Sequence, residues 1–123
     1  MHSKKLAALA ETVLADMKAR DVRVIDVRKL TTITDYMIIA SGTSDRHVRA
    51  IADRVVDRAT AAGCEPLGLE GEEAGEWVLV DLQDVVVHVM LGKKRDFYKL
   101  ENLWDMQAPA AAGKGAGTSV SET

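Results

Sequence analysis

The residues with the most evident chemical potential are Ser41, Gly42, Thr43 and Ser44, a glycine-serine turn between an apolar strand and a helix. Backbone N–H groups at a helix N-terminus suit anions, and a turn of this composition resembles the one with which nucleotidyltransferases hold a triphosphate. That reaction also needs two closely placed carboxylates to hold the metal ions of an in-line displacement. After the turn the chain offers Asp45, Asp53 and Asp57, all on the helix, while Asp81 and Asp84 lie three apart across a strand end and point differently. The histidines His2, His47 and His88 are scattered, with no HxH or HExxH spacing. Cys64 is the only thiol, and the neighbouring Glu65 opposes its ionisation. One cysteine makes neither an internal disulfide nor a cysteine-rich zinc cluster and favours a reducing compartment. The expectation is a protein without catalytic residues, cofactor or metal, with metal-dependent nucleotidyl transfer as the enzymatic alternative.

Charge is distributed in blocks. Residues 1–63 carry 11 basic and 8 acidic side chains, residues 64–92 carry 7 acidic and no basic ones, and residues 93–123 carry 5 and 4. Twenty-nine residues with no Lys or Arg cannot be the footprint of a phosphate-backbone binder. The aromatic content is 4%, and Trp77 stands in the most acidic part of the chain, where base-stacking platforms are not built. A chain of 123 residues, 47% hydrophobic and 28% charged, is that of a single globular domain with an affordable core. No apolar run approaches the roughly 20 residues of a membrane span, so a cytoplasmic protein is expected.

Periodicity supplies the elements. Leu6, Leu9, Ala10, Val13, Leu14 and Met17 recur at helical spacing and predict a helix over Ser3–Arg20. Val22–Val27 and Asp35–Ser41 read as strands, joined by Leu30–Thr34. A second helix begins at Thr43 or Ser44 and runs to Ala62, ended by Gly63. Pro66–Leu69 reads as a short strand, Glu70–Gly75 as an acidic turn, and Trp77–Leu82 with Val85–Leu91 as an antiparallel hairpin. Phe97, Leu100, Leu103 and Trp104 predict a third helix from Arg95 to about Met106, and an Ala/Gly/Ser-rich tail with too few apolar residues to order itself fills 107–123. The fold class is therefore α/β, with a mixed five-stranded sheet and three main helices in one domain over 1–106.

Strand parity separates two faces. Val78, Val80 and Leu82 share one face with Val85, Val87, Val89 and Leu91 and must meet the helices; Trp77, Leu79, Asp81, Val86, His88 and Met90 share the other. A tryptophan, a carboxylate, a histidine and a methionine make poor material for a dry core. Three helices are also few for both faces of five strands. The expectation is a partly open face, with apolar anchors and an acidic rim, suited to a protein partner. The competing reading makes Trp77 a cap on the core and His88 a satisfied core histidine; the exposure of Trp77 decides between them.

Five segments in order, TDYMIIASGTSDRHVR (34–49), PLGLEG (66–71), EWVLVDLQD (76–84), VVVHVML (85–91) and FYKLENLW (97–104), closely resemble the ribosomal silencing factor family, also called Iojap-like proteins. The resemblance covers almost the whole expected domain. It implies a nucleotidyltransferase-like fold without the catalytic carboxylates, so that the glycine-serine turn is vestigial. It further implies binding to the large ribosomal subunit through its fourteenth protein, steric blockage of small-subunit joining, and repression of translation when nutrients are limiting. A large-subunit assembly factor using the same surface is the alternative. Carried onto this chain, the resemblance makes Trp77 the anchor, surrounded by Leu79, Asp81, His88 and Met90, with Glu70, Glu72, Glu73 and Glu76 as the rim. An exposed apolar face could also pair with itself, giving a homodimer when free.

Overall fold

The computed structural model describes residues 2–94; the helix expected at Arg95–Met106 and the tail over 107–123 lie outside the described residues. Helix α1 (Ser3–Asp16) buries Leu6, Ala7, Ala10, Val13 and Leu14, the stripe its periodicity demands. It ends four residues short of expectation. Met17, Ala19 and Val22 still reach the core, but from a chain that reverses through positive φ at Lys18 and Asp21 and enters β1 (Arg20–Asp26) directly.

Strand β2 (Tyr36–Gly42) is buried throughout, as a central strand covered on both faces must be. Helix α2 (Asp45–Ala61) follows, with Ser44 as its cap: the Ser44 hydroxyl oxygen accepts from the His47 N–H at 3.0 Å. Gly63, at φ +91°, closes the far end. Then come β3 (Gly68–Glu70), β4 (Trp77–Asp81) and β5 (Val85–Leu91). The sheet order is β1-β2-β5-β4-β3, with β2 and β5 parallel and every other pair antiparallel. A mixed α/β fold with a five-stranded sheet is thus what the sequence specifies.

Both helices lie on one face, over Ile38, Ala40, Val78, Val80, Leu82, Val85, Val87 and Val89, and the hairpin residues among these are the ones parity assigned there. The second face is less open than expected. Val27, Met37, Ile39 and Met90 form a small core of their own, with Ile25, Leu30 and Trp77 packed against it. Among the described residues, the β1–β2 connection contributes to the cover through Val27 and Leu30. The N–H groups of Leu30 and Thr31 donate back to the Val27 carbonyl at 2.9 and 3.0 Å, folding Val27 and Leu30 onto the sheet. Arg28 anchors this turn through Asp26, at 2.6 Å for the ion pair, and lies over the Tyr36 ring at 5.4 Å. That pairing holds the Asp26 carboxyl at about 2, below the usual carboxylate range.

Candidate partner-binding surface

Among the described residues, an accessible part of the second face lies around β4. Register places Trp77 opposite Met90, Leu79 opposite His88 and Asp81 opposite Val86, while Glu70 of β3 stands opposite Leu79. Trp77, Leu79 and Asp81 are half-buried and Glu70 is exposed. Trp77 is therefore not sealed into a core. Its indole N–H donates to the His88 Nδ1 at 2.9 Å, with the ring centroids 5.9 Å apart and tilted by 47°. Since Nδ1 accepts, the neutral ring carries its proton on Nε2. Burial, at 9% exposure, pushes the His88 imidazole down to about 4. Trp77, Leu79, His88, Glu70 and Gly71 line a shallow notch of about 280 Å³.

Three sequence assignments need correction. Met90, opposite Trp77 on β5, is fully buried among Val27, Met37 and Ile39, so it supports the indole from within the core. His88, opposite Leu79 on β5, lines the notch beside Trp77 but is itself buried, so it offers a partner little surface of its own. The acidic rim is also divided. Glu70 borders the notch and Glu73 is exposed, but Glu72 leans toward α2, where a hydrogen bond with Asp53 raises its carboxyl pKa and burial adds to the effect. Glu76 faces the opposite way, pairing with Lys94 at 3.5 Å. Asp81 stands at the far end of β4, its Oδ1 accepting from the Gln83 N–H at 2.8 Å in the hairpin turn.

The division follows from two glycines. Gly71 and Gly75 both have positive φ, +82° and +72°, and turn residues 71–75 toward the start of α2. There a Cβ on Gly75 would stand 2.6 Å from Arg49 Nη1 and 2.9 Å from the Asp45 carbonyl oxygen. The hydrophobic pattern carries no sign of this packing. The Trp77–His88 bond was more accessible to sequence reasoning, since the two are diagonal neighbours in a hairpin whose register was legible.

The glycine-serine turn lies elsewhere, at the carboxyl ends of β2 and β5, on a cleft of about 760 Å³ that Arg20, Glu76, Lys93 and Lys94 also line. Three donors at this end of α2 are committed within the chain. The Thr43 N–H donates to His47 Nδ1 at 2.9 Å, the Arg46 N–H to Asp45 Oδ1 at 2.8 Å, and the His47 N–H to Ser44. His47 Nε2 in turn meets the Met17 carbonyl at 2.8 Å and ties the two helices together. A carboxylate thus occupies the helix end where a phosphate would need to sit. Among the described residues no group of three or more His, Cys, Asp or Glu side chains could hold a metal ion, and no helix is long and apolar enough to cross a membrane.

A family model for the ribosomal silencing factor during starvation matches residues 1–122. The chain belongs to the ribosomal silencing factor family. A silencing factor of Chromobacterium violaceum is 46% identical over 112 residues, which are 91% of this chain and 92% of that protein. One from Bacillus subtilis is 39% identical over 111 residues, 90% and 93% of the two chains. A mouse protein named for mitochondrial assembly of the ribosomal large subunit is 36% identical over 100 residues, 79% of this chain and 44% of its own length. Among solved structures, a crystal structure of a Chromobacterium violaceum protein superposes with a TM-score of 0.84 at 46% identity, over 89% of this chain and 91% of that one. A maize protein named Iojap, chloroplastic, is 32% identical over 95 residues, 77% of this chain and 41% of its own length.

Proposed function

We propose that this silencing factor acts in the cytoplasm as a non-enzymatic inhibitor of translation. It binds the large ribosomal subunit through that subunit's fourteenth protein and sterically prevents the small subunit from joining. The observation that carries this reading is the half-buried Trp77, set on an accessible face of β4 with Leu79 beside it and Glu70 at its edge. Tryptophans so placed supply most of the affinity at protein interfaces. Ribosomal surface proteins are basic, and the exposed carboxylates of Glu70 and Glu73 on this side complement them, raising the encounter rate while disfavouring direct contact with RNA. The committed donors at Thr43, Arg46 and His47 support a vestigial rather than a working triphosphate turn. When free, the protein could hide the same face in a homodimer.

The experiment is to add the purified protein to mature large subunits and measure their association with small subunits by sedimentation. Blocked association establishes silencing. The mouse relative's name favours one other reading, an assembly factor using the same surface; binding to precursor particles with no effect on mature subunits would establish that instead.

A further inference from the structure

The geometry points to a basic side chain of the partner protein, arginine before lysine, as the occupant of the notch, its stem against Trp77 and Leu79 and its charged head on the Glu70 carboxylate. This rests on the docking face proposed above and names what that face recognises. The walls supplied by Trp77, Leu79 and Gly71 are apolar or bare backbone, and the one ionised group at the edge is Glu70. Glu70 is paired with Leu79 across β3 and β4, so its side chain rises on the same face as the leucine. Among the described residues Glu70 makes no ion pair, and residues 64–92 contain no Lys or Arg to provide one. His88 cannot serve as the counter-ion, because its Nδ1 accepts from the indole and the ring is buried.

An apolar niche with a single carboxylate at its lip suits a side chain that is aliphatic along its length and cationic at its tip. Arginine fits better than lysine, since its planar fork meets a carboxylate through two parallel bonds and is more weakly hydrated. A wholly apolar occupant would strip water from Glu70 without replacing its hydrogen bonds. An acidic one would be repelled.

The test uses the full chain and two small probes, N-acetyl-arginine methylamide and its neutral citrulline counterpart, followed by 15N–1H NMR. The expected result is saturable movement of the Trp77 indole and of the Leu79 and Glu70 amides. Binding should be about two- to fivefold tighter for arginine, the size expected of a solvent-exposed charge pair, and Glu70→Gln should erase that preference without altering the melting temperature. Equal response to both probes, or no saturable movement at these residues, overturns the proposal. Co-sedimentation with large subunits separates this from the docking face. Release of Trp77→Ala together with equal binding of the two probes overturns the notch and leaves the face standing; arginine preference with normal sedimentation of Trp77→Ala overturns the face and leaves the notch.

Discussion

Trp77 and His88 form a single unit: the indole N–H donates to the imidazole Nδ1 at 2.9 Å, and the imidazole is itself buried. The bond requires a neutral ring. Burial pushes the His88 imidazole down to about 4 in the folded chain against about 6.5 for a free histidine, so between those values the unfolded state binds the extra proton. Stability is therefore fully present above pH 6.5 and is lost as pH falls toward 4, by up to roughly 3 kcal/mol from this group. Urea unfolding at pH 7 and at pH 4.5 measures the loss. His88→Gln should be less stable at pH 7 but markedly flatter across the same interval; an equally steep profile would assign the acid sensitivity to other groups.

Trp77 and Met90, paired in register, should respond differently to truncation. Trp77→Ala should stay folded and lose large-subunit binding by at least about 2 kcal/mol, some thirtyfold. Met90→Ala empties a fully buried site and should cost about 2–5 kcal/mol of stability. Thermal unfolding and co-sedimentation of the two variants check the contrast, and normal sedimentation of Trp77→Ala would remove it as the anchor.

That contrast also marks how far the sequence could be read. Alternation in WVLVD and VVVHVML fixed which residues share a face, because a strand has only two, and β5 was located to the residue. Alternation does not say what covers a face. Among the described residues, Val27 and Leu30 add to the cover over Met90 from a connection whose hydrogen bonds to the Val27 carbonyl follow no sequence period. The acidic rim failed for a similar reason: Glu70, Glu72 and Glu76 are neighbours in sequence, but positive φ at Gly71 and Gly75 sends their side chains in three directions.

Those glycines give a third expectation. A Cβ on Gly71 would collide with the Trp77 carbonyl oxygen at a φ of +82°, whereas one on Gly68 meets nothing within 4 Å and that residue has an ordinary φ. Gly71→Ala should cost about 1–3 kcal/mol through backbone strain and displace the start of β4, weakening large-subunit binding as well. Gly68→Ala should change stability by less than about 0.5 kcal/mol. Denaturant midpoints compare the two, and equal midpoints would show that the 71–75 turn adapts freely.

The last expectation concerns the glycine-serine turn. A triphosphate bound there would compete with His47 for the Thr43 N–H and with Ser44 for the His47 N–H, and would lie against the Asp45 carboxylate. Each displaced bond leaves a polar group to be satisfied again, and the carboxylate opposes the incoming charge. Magnesium with a nucleoside triphosphate at about 1 mM should therefore leave the melting temperature unchanged, because a ligand far below its Kd adds almost nothing to stability. Turnover of the triphosphate should be undetectable as well. Asp45→Asn removes the opposing charge and keeps the fold, so it is the variant in which residual anion affinity would emerge. A clear rise in melting temperature for the unmodified chain, abolished by Ser44→Ala, would show that the turn still binds phosphate.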